Sequence, residues 1–312
     1  MAVDLVCLGG ACTDLILRLP RLPERDEKMV VEFAGRVGGG WMANTACAAA
    51  RLGLRVRWAG LLGDDEGGRL IREEFAAYGV DASAAEVRTG TATDFTVILL
   101  DPSGERTILV VPVLPSPPPL ADSVLAALTE TRLAYTPLYP PAWFEPMAAA
   151  VHRGGGLVAV DVEGSAPSQG ADPKAALHLV DVVFCNRRGL KAATGSDDIE
   201  TGMHRLMSWG AGHVVVTLGS QGAWARTRGG VVYSPGHRVP VVDTTGAGDC
   251  FHAGFIFGLL AGWPPERTLH FANAAAALSV QKLGPRAGLP TQAEIEAFLA
   301  AASKGQPQIS SP

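Results

Sequence analysis

Val241-Val242-Asp243-Thr244-Thr245-Gly246-Ala247-Gly248-Asp249-Cys250-Phe251-His252-Ala253-Gly254 is the stretch whose reading decides the fold. Gly246, Ala247 and Gly248 carry almost no side chain, so the backbone N–H groups there can converge on an anion. The apolar helix predicted to open at this point adds the positive end of its dipole. Asp249 falls in the first turn of that helix, where a lone Asp reads first as a cap. The glycine on each side of Ala247 changes that reading. A cap requires one good acceptor, whereas close approach of a ligand to bare backbone requires glycine. The run is therefore read as a phosphate cradle with a carboxylate base beside it.

Outward from this run, apolar strand patterns alternate with helical ones. Strands are predicted at Val3–Leu8, Val56–Leu62, Leu157–Asp161, Asp181–Phe184 and His213–Thr217. Helices are predicted at Met42–Leu52, closed by Gly53, and at Gly68–Tyr78, closed by Gly79. Strands separated by helices imply an α/β fold with a central, mostly parallel sheet flanked by helices. Leu15–Phe33 and Thr93–Val111, the latter with its Asp101-Pro102-Ser103-Gly104 turn, break the alternation and read as extended segments returning on themselves. They predict a small β-sheet appendage built from about residues 12–35 and 92–111. The Pro-rich segment Pro112–Pro119 leads the chain back to the core. One domain is expected over residues 1–303, followed by a frayed tail at 304–312.

Composition narrows the class. The 312 residues, 47% of them apolar, suffice for a substantial core, and 26 basic against 31 acidic residues give a net charge of -5. Without a basic run, nucleic acid is not an expected partner. Cys7, Cys12, Cys47, Cys185 and Cys250 are scattered among apolar neighbours with no C-x-x-C pair, as expected of buried thiols in a reducing compartment. No signal-peptide pattern opens the chain, and the apolar helix from about Phe251 to Trp263 is shorter than the roughly 20 residues a bilayer needs. A cytoplasmic protein with no membrane partner is expected.

A second glycine cluster, Gly38-Gly39-Gly40, precedes an Ala-rich helix that carries Asn44 in its first turn. Either a ligand approaches the backbone there or the cluster is a plain turn. Asp14, shortly after Gly9-Gly10, is either a turn former or a ligand contact at the carboxyl end of the first strand. His252 sits beside Asp249 but reads as a packed core histidine, and Met203, Met207 and Trp209 as helix packing.

These pieces together resemble the ribokinase-like, or phosphofructokinase-B (PfkB), family of carbohydrate and nucleoside kinases. The resemblance runs through Leu8-Gly9-Gly10 with Asp14, Val37-Gly38-Gly39-Gly40-x-x-Ala43-Asn44, Gly60-x-x-Gly63-Asp64-Asp65-x-Gly67, Val214–Ala223 and the Asp243–Asp249 run. It implies a ribokinase-like fold whose β appendage is a lid over the sugar. Asp249 is implied as general base, with Gly246, Ala247 and Gly248 holding the transferring phosphoryl group. Asp14, Gly39, Gly40 and Asn44 resemble the family's sugar contacts. Thr217, Gly219, Gly222 and Asn273 resemble its ATP contacts, joined by Asn186. Magnesium would enter with ATP, and Asp243 with the Thr245 carbonyl stands where many members bind a monovalent cation such as K+. Pairing of lids would give a homodimer.

Departures from the pattern matter as well. The family's Asn-x-x-Glu is here Asn186-Arg187-Arg188-Gly189, without the glutamate. Trp41 stands where ribokinase has lysine, and no glutamate occurs in Leu133–Tyr139, so ribose is not the first choice of substrate. Arg106, at the Gly104-Glu105-Arg106-Thr107 junction of the lid, is a candidate contact to an anionic sugar. The run Leu283-Gly284-Pro285-Arg286-Ala287-Gly288-Leu289-Pro290 resembles the sulfofructose and ketose kinases. The expectation is an ATP-dependent kinase acting on a hydroxyl of a ketose, pentose or acidic sugar. A nucleoside kinase and a non-catalytic sugar or nucleotide sensor on the same fold are the alternatives. A dinucleotide oxidoreductase is weaker, since no G-x-G-x-x-G follows the first strand.

Overall fold

The computed structural model describes residues 3–102, 106–115, 120–138, 141–163 and 172–304. In chain order the first half runs β1 (Val3–Leu8), β2 (Cys12–Arg18), β3 (Glu32–Gly39), α1 (Trp41–Arg51), β4 (Val56–Ala59), β5 (Leu61–Gly63), α2 (Glu66–Tyr78), β6 (Glu86–Arg88), β7 (Phe95–Leu100) and β8 (Arg106–Val111). The second half runs α3 (Asp122–Leu128), β9 (Thr131–Pro137), α4 (Pro141–Arg153), β10 (Leu157–Val162), α5 (Pro173–Ala176), β11 (Val182–Asn186), α6 (Arg187–Thr194) and α7 (Ile199–Ser208). It ends with β12 (His213–Thr217), β13 (Ala223–Thr227), β14 (Gly230–Ser234), α8 (Ala247–Leu260), α9 (Pro265–Ser279) and α10 (Gln292–Lys304).

The main sheet has eight strands in the order β14-β13-β12-β11-β10-β9-β1-β4. From β4 to β12 every pairing is parallel, and only β13 and β14 run antiparallel at one edge. Because side chains alternate across a strand, each central strand feeds two cores. Leu5 and Cys7 of β1, Tyr135 of β9 and Phe184 of β11 pack under α1, α2, α8, α9 and α10. Val6 and Leu8, Ala134 and Val183 pack on the other face under α3, α4, α6 and α7. This is why the strands read as continuous apolar runs. Their carboxyl ends all emerge on one edge, where an α/β sheet binds ligands.

A separate four-stranded sheet, β3-β2-β7-β8, forms the predicted appendage. β2 pairs antiparallel with β3 and parallel with β7, and β7 pairs antiparallel with β8. Its β3 continues to Gly39, so the lid reaches further along the chain than residue 35. The predicted strand Val56–Leu62 is instead two strands. A Cβ on Gly60 would lie 2.5 Å from both the Gly9 carbonyl and the Trp58 ring, so a bare residue marks the point where the chain leaves the main sheet. Beyond it, β5 pairs with β6 in a two-stranded sheet of its own.

Helix boundaries follow local chemistry. The Asp65 carboxylate caps α2 through the Gly68 amide at 2.9 Å, and Gly79 closes it at φ 75° in the left-handed region. The same Asp65 accepts from Thr93 Oγ1 at 2.6 Å, tying the start of α2 to the segment that enters lid strand β7. Helix α10 runs through Lys304, one residue into the predicted tail, and 305–312 lie outside the described residues. So do Ser103, Gly104 and Glu105 of the predicted lid turn, 116–119 of the Pro-rich link, and Tyr139. Four of the five cysteines are buried and Cys12 is half-buried, all as free thiols.

Candidate active site

Helix α8 begins where the sequence places the cradle. Gly246 is its N-cap at φ 77°, a left-handed conformation that favours glycine, and a Cβ there would also press within 3.0 Å of Pro285. Gly248 is exposed, and a Cβ there would meet nothing within 4 Å. Asp249 follows in the first turn, half-buried. Its Oδ2 accepts from Asn44 Nδ2 at 2.9 Å, and its backbone carbonyl accepts from Thr45 Oγ1 at 3.4 Å. Burial pushes the Asp249 carboxyl up to about 7; the Asn44 hydrogen bond opposes this, the Glu163 and Asp14 charges add to it, and Arg286 opposes it. A carboxylate tuned to that range can take a proton near neutral pH and release it again.

The lid side supplies Asp14 from β2. It is 4% exposed and accepts from Thr96 Oγ1 at 2.7 Å and from Cys12 Sγ at 3.5 Å. Burial holds its carboxyl above the ordinary range. The glycine triplet is not a free turn. Gly38 and Gly39 lie in β3, and the space of their missing side chains is taken by the protein itself. A Cβ on Gly39 would stand 2.2 Å from Asp14 Oδ2, and one on Gly38 2.4 Å from Glu74 Oε2. Gly40, at φ 90°, is the N-cap of α1 and packs against Ala11 and the Gly10 carbonyl. Arg106 of β8 reaches across from the lid and donates to Thr244 Oγ1, two residues before the cradle, while its buried Nε has no partner among the described residues. It therefore sits beside the glycine turn that opens α8.

The expected nucleotide contacts lie at the ends of neighbouring strands. Asn186, after β11, caps α6 by accepting from the Gly189 amide at 2.8 Å. Thr217 ends β12, and Gly219 just beyond it has φ 58° with open space beside it. Gly222, at φ 99°, would drive a Cβ to 2.1 Å from the Ser234 carbonyl. Asn273 is 6% exposed and spends its Nδ2 on the carbonyls of Ser234 and Pro235, at 3.0 and 3.3 Å. It braces the loop after β14 instead of presenting its amide donors to the cleft. Asp243 is 3% exposed. It accepts from the amide and hydroxyl of Thr245 at 2.9 and 2.7 Å and from the Gly284 amide at 2.8 Å. All three of these donors are neutral groups. His252 is buried against Tyr135 Oη at 2.8 Å, with burial lowering its ring to about 3, and is a core histidine.

Residues 3–292 match the profile of the pfkB family carbohydrate kinases. The chain belongs to the pfkB family. This carbohydrate kinase, a phosphotransferase, is 32% identical over 305 residues to an ATP-dependent ribose-1-phosphate kinase of Halopiger xanaduensis, covering 95% of this chain and 98% of that one. It is 30% identical over 315 residues to a fructokinase of Klebsiella pneumoniae, covering 94% and 98%. The structure of Arabidopsis thaliana ribokinase complexed with ribose and ATP superposes with a TM-score of 0.84 at 28% identity, over 96% of this chain and 99% of that one. The pfkB fold, with its central sheet and separate small sheet, is thus the fold of this chain.

Several residues gathered at this kinase's cleft escape sequence reasoning. Asp161 near the end of β10 and Glu163 just after it stand close to Asp249, and burial raises both carboxyls. Arg286 and Glu74 meet behind Asn44. No local motif marks these contacts, because partners such as Asn44 and Arg286 are 242 positions apart. The glycine at 189 does have a local reason. A Cβ there would lie 2.0 Å from the Val162 carbonyl, so α6 packs too closely on β10 for the glutamate of the Asn-x-x-Glu pattern.

Proposed function

We propose that this pfkB kinase transfers the γ-phosphoryl group of ATP to a hydroxyl of a ketose, pentose or acidic sugar, with Asp249 as general base. The observation that carries this reading is the Asp249 carboxylate in the first turn of α8, next in the chain to the exposed Gly248 and held by Asn44 Nδ2 at 2.9 Å, with burial raising it to about 7. The alcohol proton passes to Asp249 as the alcohol oxygen bonds to phosphorus, and the bridging oxygen leaves with ADP. The amides of Gly246, Ala247 and Gly248 stabilise the charge that develops on the phosphoryl oxygens. Asp14, Gly39, Gly40 and Asn44 frame the sugar, while Thr217, Gly219 and Gly222, with Asn186, border the nucleotide and Asn273 braces its loop.

Mg2+ would enter with the nucleotide and supply positive charge against its phosphates, a hard ion suited to phosphate oxygens and water. Asp243, buried with neutral partners, supports a monovalent cation such as K+ between its carboxylate and the Thr245 carbonyl. Arg106 supports an anionic group at the same corner, either the transferring phosphoryl group or an acid substituent of the sugar. Away from the face that carries Asp14 and Thr96, the small sheet exposes Phe33 and Leu109, at 62% and 51%, which supports a homodimer formed lid to lid. Among the described residues no helix is long and apolar enough to cross a membrane. The free thiols support a cytoplasmic location.

The test is a thermal-shift panel of ketoses, pentoses, sugar acids, sugar phosphates and nucleosides, each with a non-hydrolysable ATP analogue, followed by ADP release with whichever compounds bind. Stabilisation and turnover with one sugar class is expected. Turnover confined to nucleosides, or binding without any turnover, would replace this reading with a nucleoside kinase or a sensor.

A further inference from the structure

In the sequence Arg286 is one residue of the run Leu283–Pro290, yet in the fold its guanidinium is buried at 5% exposure behind the catalytic cleft. It makes three donations in three directions: Nε to Asn44 Oδ1 at 2.9 Å, one terminal nitrogen to Glu74 Oε2 at 2.5 Å, and the other to the Gly39 carbonyl at 3.0 Å. The other Glu74 oxygen accepts from the Gly38 amide at 2.9 Å. The Arg286 carbonyl accepts from Tyr78 Oη at 2.9 Å, which fixes the backbone from which the guanidinium projects.

The chemistry of these groups permits one arrangement of the Asn44 amide. A guanidinium only donates, so the Asn44 oxygen must face Arg286, and the amide nitrogen is then forced toward Asp249. That nitrogen donates to Asp249 Oδ2 at 2.9 Å and leaves Oδ1 to receive a proton. Turned over, the amide would set its oxygen against a carboxylate and its N–H groups against a guanidinium, two repulsive contacts in a buried place.

We propose that Arg286 is a positioning residue for phosphoryl transfer: through Asn44 it fixes which oxygen of Asp249 takes the substrate proton, and through Gly39 and Glu74 it locks the end of lid strand β3 to the same amide. This rests on the reading of Asp249 as general base. The groups facing Asp249 from the packed elements are Asp14 of β2, Tyr135 of β9, Asp161 near the end of β10, Glu163 just after it, and Cys250 of its own helix. Against these stands the positive charge of Arg286.

The test follows the Asp249 carboxyl directly, by NMR of protein labelled at its aspartate carboxyl carbons, with the Asp249 signal identified by its absence in Asp249→Asn. Arg286→Gln should move its titration midpoint up by about one pH unit. Arg286→Lys keeps the charge but cannot reach three acceptors as a fork, so it should restore most of the midpoint while leaving kcat about tenfold below wild type. If Arg286→Gln does not fold, the lysine variant decides. A midpoint unmoved in the glutamine variant, or wild-type kcat in the lysine variant, would overturn the proposal. Asp249→Asn assayed for turnover tests the base itself, so an active Asp249→Asn would reject that reading whatever the midpoint of the Arg286 variants.

Discussion

Asp249 carries two opposed demands. As the base proposed above it must be ionised to take a proton, yet burial presses it toward the neutral form, to about 7. Asp249→Asn should keep the fold and ATP binding while lowering kcat by about 10²–10⁴-fold, read by ADP release and by the thermal shift with an ATP analogue. The same carboxyl makes a stability prediction. In the unfolded chain it titrates near 3.9. Between about pH 4 and 7 the unfolded state therefore releases a proton that the folded state keeps, and stability falls as pH rises through this window. Because the side chain is partly open to water, the loss is on the order of 1–2 kcal/mol, below the full value implied by the two pKa values. Asp249→Asn should accordingly be more stable than wild type at pH 8 by about that amount. Urea unfolding at pH 8 and pH 5 checks this, and the difference should shrink at the lower pH.

At the scale of elements, the placement of helices on the sheet decides which residues can occupy the cleft. Gly189 stands in the first turn of α6, and any side chain there meets the Val162 carbonyl of β10. Gly189→Glu, which restores the family pattern in sequence, should push α6 off the sheet and destabilise the protein by about 2–3 kcal/mol. A fall in Tm with no gain in activity is the expected result; a stable, faster enzyme would contradict the packing argument. The glycines of β3 obey the same rule. Gly38 and Gly39 are bare because Glu74, Arg286 and Asp14 occupy the space beside them. A cluster that reads as equally consistent with a turn or a ligand contact is a strand whose neighbours reach across it.

For the whole molecule, Arg106 joins β8 of the small sheet to Thr244, two residues before Gly246 at the start of α8. A closed lid keeps water from the phosphoryl group. Arg106→Ala should loosen that closure, raising the ratio of ATP hydrolysis to sugar phosphorylation by about tenfold, measured by comparing ADP and sugar phosphate formed. The outer surface of the lid sets a second expectation. Leu109→Asp, which puts a charge on the exposed apolar face turned away from Asp14, should turn the proposed dimer into a monomer in sedimentation velocity and leave the fold intact. An unchanged sedimentation coefficient would remove the lid from the subunit contact.

The sequence by itself determined the layer architecture, the separate small sheet and the glycine turn that opens α8, because these rest on local signals. Alternating strands and helices, the glycines beside Ala247 and the acid that follows them act within a few residues of one another. The cap by Asp65 and the left-handed Gly79 were legible for the same reason. Only the tertiary structure decided the break at Gly60, the inward-packed β3 glycines, the turning of Asn273 onto Ser234, and the Arg286–Asn44–Asp249 chain. These depend on which distant atoms compete for one small volume and one set of hydrogen bonds, and no local pattern encodes that competition.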